Sequence, residues 1–202
     1  MGEALPTDAG PTFRLEAITP ERYADVARLA STFHGERKKA CLIIPCCLCP
    51  MSRDELAGPY DKTPELRSFT VLAVREADNV VVGFVRMSVH GLARDTCDRC
   101  MHSVRPGDAY IDEAFVGTDA RGHGLGRRML EWSEAAARAR GCTVLTLGVV
   151  NGNPARRLYE RFGFVAVPQG ACSCCVTGAL LFCLFGLPHC RCGATQMEKP
   201  LT

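Results

Sequence analysis

A strand-like segment, a glycine-rich run and a helix-like segment follow one another in the chain, and this order restricts the fold more than any other feature. Residues 109–116 read as the strand, residues 121–126 have the sequence RGHGLG, and residues 125–140 keep helical spacing. Main-chain amides at a helix N-terminus carry partial positive charge and lack partners within the helix. Glycines let an anion approach those amides without interference from a Cβ atom. The segment therefore predicts a pyrophosphate site, the alternative being an ordinary tight turn.

A second segment downstream supports the interpretation of the glycine-rich run. Residues 153–164 read NPARRLYERFGF. Together the two segments resemble the GNAT superfamily of N-acetyltransferases, whose signature is Arg or Gln, two residues, Gly, one residue, and Gly or Ala. Arg121, Gly124 and Gly126 satisfy that signature. The resemblance is specific from about 109 to 164, and it does not extend to the cysteine-rich segments.

The order of predicted elements agrees with the topology that the resemblance implies. Periodicity and turn signals predict strands at 13–18, 69–74, 80–89, 109–116, 143–150, 164–167 and 195–201. They predict helices at 20–33, after the capping-box residue Ser52, at 125–140, and from Pro154 to Gly163. The expected fold is α/β of the α+β kind, the GNAT fold, with a mixed central sheet of about seven strands and helices on both faces.

Length and composition suit one domain. A chain of 202 residues is long enough for one substantial core. Residues 1–12 read as a flexible leader, and 13–202 as a single acetyltransferase domain with cysteine-rich segments at 41–50 and 172–192. The net charge of +2, without a basic block, argues against a nucleic-acid partner. The first dozen residues do not read as a secretory signal, which favours the cytoplasm.

The apolar segment 176–187 is the strongest candidate for a surface contact. It is too short to span a bilayer, which needs about 20 residues, and it lacks a basic flank for binding at a membrane surface. A lid over the acceptor site, or docking on another protomer, ranks above membrane contact. The chain permits a homodimer without specifying one.

Acetyl transfer to an amine sets three chemical requirements. The thioester must be held, the amine must lose a proton, and the leaving thiolate must gain one. The resemblance assigns the last step to Tyr159, whose phenol has an ordinary pKa of about 10 and is protonated at neutral pH; the alternative is a core aromatic with a satisfied hydroxyl. Gly148 stands where many members carry a glutamate base, so Asp112 is expected as the base. Glu113 is the next candidate and a chain of water molecules is the third, and strand parity places the two acids on opposite faces.

The resemblance also implies where acetyl-CoA binds. The pantetheine arm is expected along the strand before the glycine run, and the pyrophosphate on the amides of residues 122–127. Arginines 121, 127 and 128 would add positive charge, the alternative for the last two being a solvated helix face. Asn151 competes with Asn153 as the asparagine near CoA. The expected contacts are Ala114, Phe115, Val116, Arg121, Gly122, His123, Gly124, Leu125, Gly126, Arg127 and Asn153.

Thirteen cysteines are many for this length, and twelve fall into three clusters. Three Cys-x-x-Cys pairs have the spacing that suits two thiolates on one zinc ion or an iron–sulfur centre. The resemblance brings the first and third clusters to the acceptor side of the cleft. This predicts a zinc site formed by Cys46, Cys49, Cys172 and Cys175. The alternative is that these residues pack as small apolar side chains.

These observations predict an acetyl-CoA-dependent N-acetyltransferase acting by direct attack of a primary amine, with no acyl-enzyme. The acceptor is a small molecule or a peptide, and the scaffold alone does not select between them. The alternative is a non-catalytic GNAT-like binding module whose cysteine-rich loops bind metal or sense redox state.

Overall fold

The protein is built around a single twisted sheet. The computed structural model describes residues 10–37, 52–92, 104–168 and 194–201. Its strands are β1 (Phe13–Ala17), β2 (Thr70–Arg75), β3 (Val80–Val89), β4 (Asp108–Val116), β5 (Val144–Val150), β6 (Val165–Ala166) and β7 (Ala194–Pro200). Within this part of the chain the sheet has seven strands in the order β1-β2-β3-β4-β5-β7-β6. Only β4 and β5 pair in parallel, so the mixed seven-stranded sheet is confirmed.

Four α-helices are described, and their ends follow the local sequence. They are α1 (Tyr23–Arg37), α2 (Arg53–Lys62), α3 (Leu125–Ala139) and α4 (Arg156–Phe162). The predicted capping box of α2 is present, because the Ser52 hydroxyl accepts from the Glu55 amide and the Glu55 carboxylate accepts from the Ser52 amide. The last helix begins later than predicted, since Pro154 and Ala155 form a turn before it. Gly163, at φ +98°, ends it in the left-handed conformation.

Helices cover both faces of the sheet, as predicted. On one face, the apolar side of α3 packs with Val71, Ala73 and Val85 in the larger core cluster. On the other face, α1 and α2 pack with Leu72 and Phe84. Alternation along β2 sends successive side chains to opposite cores. Burying a side chain as large as Leu72 or Phe84 stabilises the fold by about 1.5–3 kcal/mol.

The two central strands separate partway along their length. Strands β4 and β5 pair from Asp108 to Ile111 on one side and from Val144 to Leu147 on the other. Beyond this point β4 continues to Val116 on β3, and β5 continues to Val150 on β7. The sheet therefore opens between β4 and β5, and this gap positions the site.

A β-bulge at Asp112 changes which way the acidic residues of β4 point. The register between β3 and β4 shifts here, leaving Asp112 as the extra residue. Asp112 accepts a hydrogen bond from the Ser88 hydroxyl at 3.1 Å, and the Glu113 carboxylate lies 3.7 Å from the Arg86 guanidinium. Ser88 and Arg86 alternate with Phe84 on the α1/α2 face. Both acids therefore lie on one face, and the expectation of opposite faces is wrong.

Several predictions fall on residues beyond the described ranges. Residues 1–9, both cysteine-rich segments, Cys97, Cys100 and the apolar segment 176–187 all lie there. The domain boundaries and the roles of these segments therefore stay predictions. None of the described helices combines the length and the apolar character needed to cross a membrane.

Candidate active site

A cavity of about 1070 Å³ lies where β4 and β5 separate. Its walls come from the end of β4, the glycine loop with the first turn of α3, the turn after β5, and one side of α4. Among the residues predicted from sequence, the cavity brings together Tyr159, Ala114, Phe115, Val116, Arg121, Gly122, Gly124, Leu125, Gly126, Arg127 and Asn153. His123, Asp112 and Glu113 are not among its lining residues.

The end of β4 offers main-chain groups to this cavity. Ala114, Phe115 and Val116 line it, and β4 pairs with β3 along its opposite edge. On the edge toward β5, pairing stops at Ile111 within the described residues. Main-chain amides and carbonyls that lack a partner strand are strong sites for a ligand that carries amide groups of its own. Arg121 already donates to the Val116 carbonyl at 3.2 Å.

The three positions of the loop require glycine for different physical reasons. Gly122 and Gly124 have φ angles of +83° and +76°, a left-handed conformation that favours glycine, and an added Cβ at either meets nothing within 4 Å. Gly126 is helical, and a Cβ there would lie 2.8 Å from Cδ2 of Leu158 on α4. The first two glycines shape the loop, and the third lets α4 approach α3.

The N-terminus of α3 is free to bind an anion. The residue before the helix, Gly124, supplies no side-chain cap, and the first turn contains no acidic residue. The amides of Leu125, Gly126 and Arg127 therefore face the cavity end of the helix without a capping partner, and the helix dipole adds positive potential there. This arrangement suits a phosphate group.

The side chains of His123 and Arg128 contact Phe13 of β1. The His123 imidazole packs on Phe13 of β1, with 5.6 Å between ring centroids, and its Nδ1 lies 3.4 Å from the Ala120 carbonyl oxygen. Arg128 donates to the Phe13 carbonyl at 2.9 Å. The His123 imidazole thus contacts Phe13 while the residue stays exposed. Arg128 is exposed, in agreement with the expected solvated helix face, and its guanidinium also links α3 to β1.

Arg161 is a lining residue that the sequence-based prediction did not include. It lies in the last turn of α4 and is exposed at the cavity. The sequence could have indicated Arg161, because it follows Leu158 by three residues and residues three apart share a helix face. Arg121 and Arg127 also line the cavity, and the Arg127 guanidinium pairs with Glu131 at 2.9 Å. No carboxylate lines the cavity in the described part of the chain.

Tyr159 presents a phenol without a protein partner. The residue lies on α4, its ring packs edge-on against Phe164, and burial raises the pKa of its hydroxyl. The hydroxyl makes no hydrogen bond to any residue that the structure describes. A buried hydroxyl normally has a partner. Among the described residues nothing satisfies this hydroxyl, and the catalytic role of Tyr159 stays a prediction.

The two asparagines after β5 have different partners. Asn153 accepts a hydrogen bond from the Ala155 amide at 2.9 Å, which fixes the turn before α4. Asn151 accepts from the Thr195 hydroxyl of β7 at 2.7 Å. Both line the cavity. Asn153 keeps its side-chain NH₂ as a donor that no described residue uses, which favours it over Asn151 as a ligand contact.

The space beside Gly148 is filled by another polar group. A Cβ placed on Gly148 would lie 2.8 Å from the hydroxyl of Tyr110 on β4. A longer side chain at 148 would therefore displace Tyr110. Tyr110 and Ser88 face each other across the β3–β4 pair, next to Asp112. The polar groups of the α1/α2 face are thus clustered near the gap but outside the cavity lining.

The predicted zinc ligands cannot be placed in this structure. Cys46, Cys49, Cys172 and Cys175 all lie outside the described residues. Within the described ranges, no group of three or more residues could hold a metal ion. Cys142, at the start of β5, is buried, and burial raises the pKa of its thiol.

Comparison with known proteins decides the family. The family model described as "Acetyltransferase (GNAT) family" matches residues 44–164, more than half of the chain. The chain belongs to the GNAT acetyltransferase family. Membership in this GNAT family supports acetyl-CoA-dependent acyl transfer as the class of reaction. No curated protein matches the sequence.

Solved structures agree with this GNAT fold. The protein yncA from Salmonella typhimurium, solved with acetyl-CoA, is 16% identical with a TM-score of 0.62, covering 94% of each chain. The PaiA N-acetyltransferase from Thermoplasma acidophilum, in complex with coenzyme A, is 12% identical with a TM-score of 0.62, covering 94% of this chain and 99% of that one. A chain of the NatC complex bound to Gag peptide and CoA is 18% identical with a TM-score of 0.59, covering 94% and 99%. At these identities the likeness establishes the fold alone.

Proposed function

We propose that the protein transfers an acetyl group from acetyl-CoA to the primary amine of a small molecule or peptide by direct attack. The observation that carries the proposal is the cavity where β4 and β5 separate. It joins the end of β4, the N-terminus of α3 and the phenol of Tyr159, none of which has a strand partner toward β5, a side-chain cap or a hydrogen-bond partner, respectively, among the described residues. Each of these groups offers hydrogen-bonding capacity to a ligand of matching chemistry.

The residues present fit acetyl-CoA in three places. Its amide-bearing pantetheine arm matches the main chain of Ala114, Phe115 and Val116. Its pyrophosphate matches the amides of α3, with Arg121 and Arg127 near the negative charge. Asn153 contributes a side-chain donor. When bound, acetyl-CoA supplies the thioester carbon that the amine attacks.

The proton transfers fall to residues of this chain. A carbon–nitrogen bond forms while the carbon–sulfur bond breaks, so the sulfur must gain a proton and the nitrogen must lose one. Tyr159 donates its phenolic proton to the departing sulfur. Burial raises the pKa of that phenol, so it stays protonated at neutral pH and can donate.

We assign the acceptance of the amine proton to Asp112, directly or through water. Asp112 lies at the bulge of β4 with its carboxylate held by the Ser88 hydroxyl. Glu113 is the second candidate, and the nearby Arg86 guanidinium already neutralises its charge. The ranking of Asp112 above Glu113 as the base is tested by two separate variants, Asp112→Asn and Glu113→Gln. The first variant should lose more turnover than the second, and the reverse order would contradict the assignment.

Family relatives favour an amine as the acceptor. PaiA is named an N-acetyltransferase, and NatC was solved with a peptide. The alternative, a non-catalytic module that binds metal or senses redox state, rests on cysteine-rich segments beyond the described residues. The predicted zinc site rests on the same segments. Neither alternative has a described contact in its favour.

The deciding experiment measures acetyl transfer by mass spectrometry. The full chain is incubated with acetyl-CoA and a panel of small amines, amino acids and peptides with free N-termini or lysines. Thiol-reactive dyes are unsuitable because the chain has thirteen cysteines. We expect an acetylated amine together with free CoA. Binding of CoA by calorimetry without any acetylated product would overturn the transfer step, and absence of binding would overturn the assignment of the cavity.

A further inference from the structure

We infer that Arg161 binds the 3′-phosphate on the ribose of CoA, so that the protein distinguishes CoA from dephospho-CoA. The inference rests on the proposed binding of CoA in the cavity. It names a phosphomonoester subsite at the α4 side of that cavity, separate from the pyrophosphate site at α3.

Arg161 is an arginine at the cavity whose charge no described residue neutralises. Its neighbour Arg156 pairs with Glu160 at 2.8 Å, and Arg127 pairs with Glu131 at 2.9 Å. Arg161 lines the cavity, and its guanidinium makes no ion pair or hydrogen bond with any residue in the described ranges. Its guanidinium is therefore available to an anionic ligand that enters from the cavity side.

Its position follows from the contact between the two helices. Leu158 of α4 lies against Gly126 in the first turn of α3, since a Cβ on that glycine would be 2.8 Å from the leucine. Arg161 follows three residues later on the same side of α4, about 4.5 Å further along the helix axis. In CoA, one ribose separates the pyrophosphate from the 3′-phosphate. A pyrophosphate on α3 therefore places the second phosphate within reach of Arg161.

The chemistry of the two groups is complementary. A phosphate monoester carries about −1.5 to −2 charge at pH 7 and three strong acceptor oxygens. Arginine presents a planar set of donors that binds such oxygens in pairs. The amides of α3, Arg121 and Arg127 already serve the pyrophosphate. Because Arg161 is exposed, solvent and salt screen the interaction, and we expect an effect of about tenfold on affinity.

The test compares CoA with dephospho-CoA by calorimetry on the full chain. The wild-type protein should bind CoA about tenfold more tightly than dephospho-CoA. Arg161→Gln should weaken CoA about tenfold and leave dephospho-CoA within about twofold. The control Arg157→Gln removes the same charge from the same helix. Arg157 is exposed, its guanidinium has no partner among the described residues, and it lies outside the cavity lining, so both affinities should stay within about twofold.

The outcomes distinguish a failure of the inference about Arg161 from a failure of the proposed function. Equal binding of CoA and dephospho-CoA by the wild type overturns the inference and leaves the proposed function intact. Equal weakening of both ligands in Arg161→Gln, or the same loss in Arg157→Gln, shows a general charge effect and also overturns it. If neither ligand binds the wild type, the proposed function fails and the inference fails with it. Thermal melts of the variants establish that each is folded.

Discussion

Replacing Tyr159 with phenylalanine should separate catalysis from stability. The substitution removes one hydroxyl and keeps the ring that packs on Phe164. If the phenol protonates the leaving thiolate, turnover should fall by about 10² to 10⁴, the usual contribution of a general acid. The affinity for CoA should change little, because the proposed contacts with CoA lie on β4, the glycine loop and Asn153.

The effect on stability should be small and of the opposite sign to a typical core mutation. The Tyr159 hydroxyl makes no hydrogen bond within the described residues, so its removal breaks none. Leaving a buried polar group unsatisfied costs about 1–3 kcal/mol, which sets the upper limit of any gain. Since the hydroxyl borders a cavity that water can enter, we expect the free energy of unfolding to stay the same or rise by up to about 1 kcal/mol.

Tyr60 supplies a matched control. Its hydroxyl is buried on the α1/α2 face, 3.1 Å from Oγ1 of Thr70, and lies outside the cavity lining. Tyr60→Phe therefore loses a buried hydrogen bond and should lower the free energy of unfolding by about 1 kcal/mol. For a chain of this size that corresponds to about 2–4 °C in melting temperature. Turnover should be unchanged.

The assay combines turnover by mass spectrometry, CoA affinity by calorimetry and thermal melts without ligand. A crossed pattern is expected, with turnover lost in Tyr159→Phe and stability lost in Tyr60→Phe. Turnover of Tyr159→Phe within about threefold of wild type would remove Tyr159 as the acid, since general acids contribute far more than that. A fall in its melting temperature as large as that of Tyr60→Phe would refute the claim that its hydroxyl lacks a partner.

The same two tyrosines predict how stability depends on alkaline pH. Burial raises the pKa of both hydroxyls, so the folded state holds these protons more tightly than the unfolded state. Their contribution is constant below the unfolded pKa of about 10 and is lost as the pH rises above it. Each phenylalanine variant should flatten this alkaline slope in urea unfolding followed between pH 9 and 11, values chosen around the reference of about 10.

Three further substitutions test the structural residues that surround the site. Gly124→Ala must hold alanine at φ +76°, so we expect a loss of about 1–2 kcal/mol in thermal melts, with weaker CoA binding in calorimetry. Gly83→Ala places a Cβ 2.9 Å from the main-chain oxygen of Phe115, and urea unfolding should show a loss of about 1–3 kcal/mol. Burial raises the pKa of Glu134, but its hydrogen bond with Lys199 contributes to a larger lowering, so the net pKa is lowered and its stabilisation is lost as the pH falls. Glu134→Gln should therefore reduce the dependence of melting temperature on acid pH below about 4.3.

The sequence predicted the elements of this fold closely. Every predicted strand lies within one residue of its observed bounds at each end. This succeeded because strands such as β3 and β5 are long apolar runs. Helix ends were predicted less closely, since α1 continues past residue 33 to Arg37 and α4 begins at Arg156 and not at Pro154. The end of β4 and the glycine loop, both marked by local sequence pattern, line the cavity, and their contacts with CoA stay predictions.

Side-chain directions in the site could not be predicted in the same way. The bulge at Asp112 has no turn residue to announce it, and one extra residue moves a carboxylate to the other face. The imidazole of His123 packs on Phe13, which is distant in the sequence. Arg161 lines the cavity only because α4 docks on α3 at Gly126. Each of these depends on tertiary contacts that no local pattern records.

The separation of β4 and β5 has a thermodynamic consequence. The half of the sheet from β1 to β4 joins the half from β5 to β7 through only four paired positions of each strand. A ligand that pairs with β4 in the gap would act as a missing strand, so its concentration would enter the folding equilibrium. At one hundred times its dissociation constant, such linkage adds about 2.7 kcal/mol to stability. For a GNAT enzyme built this way, the supply of acetyl-CoA would govern how long the folded chain survives as well as how fast it works.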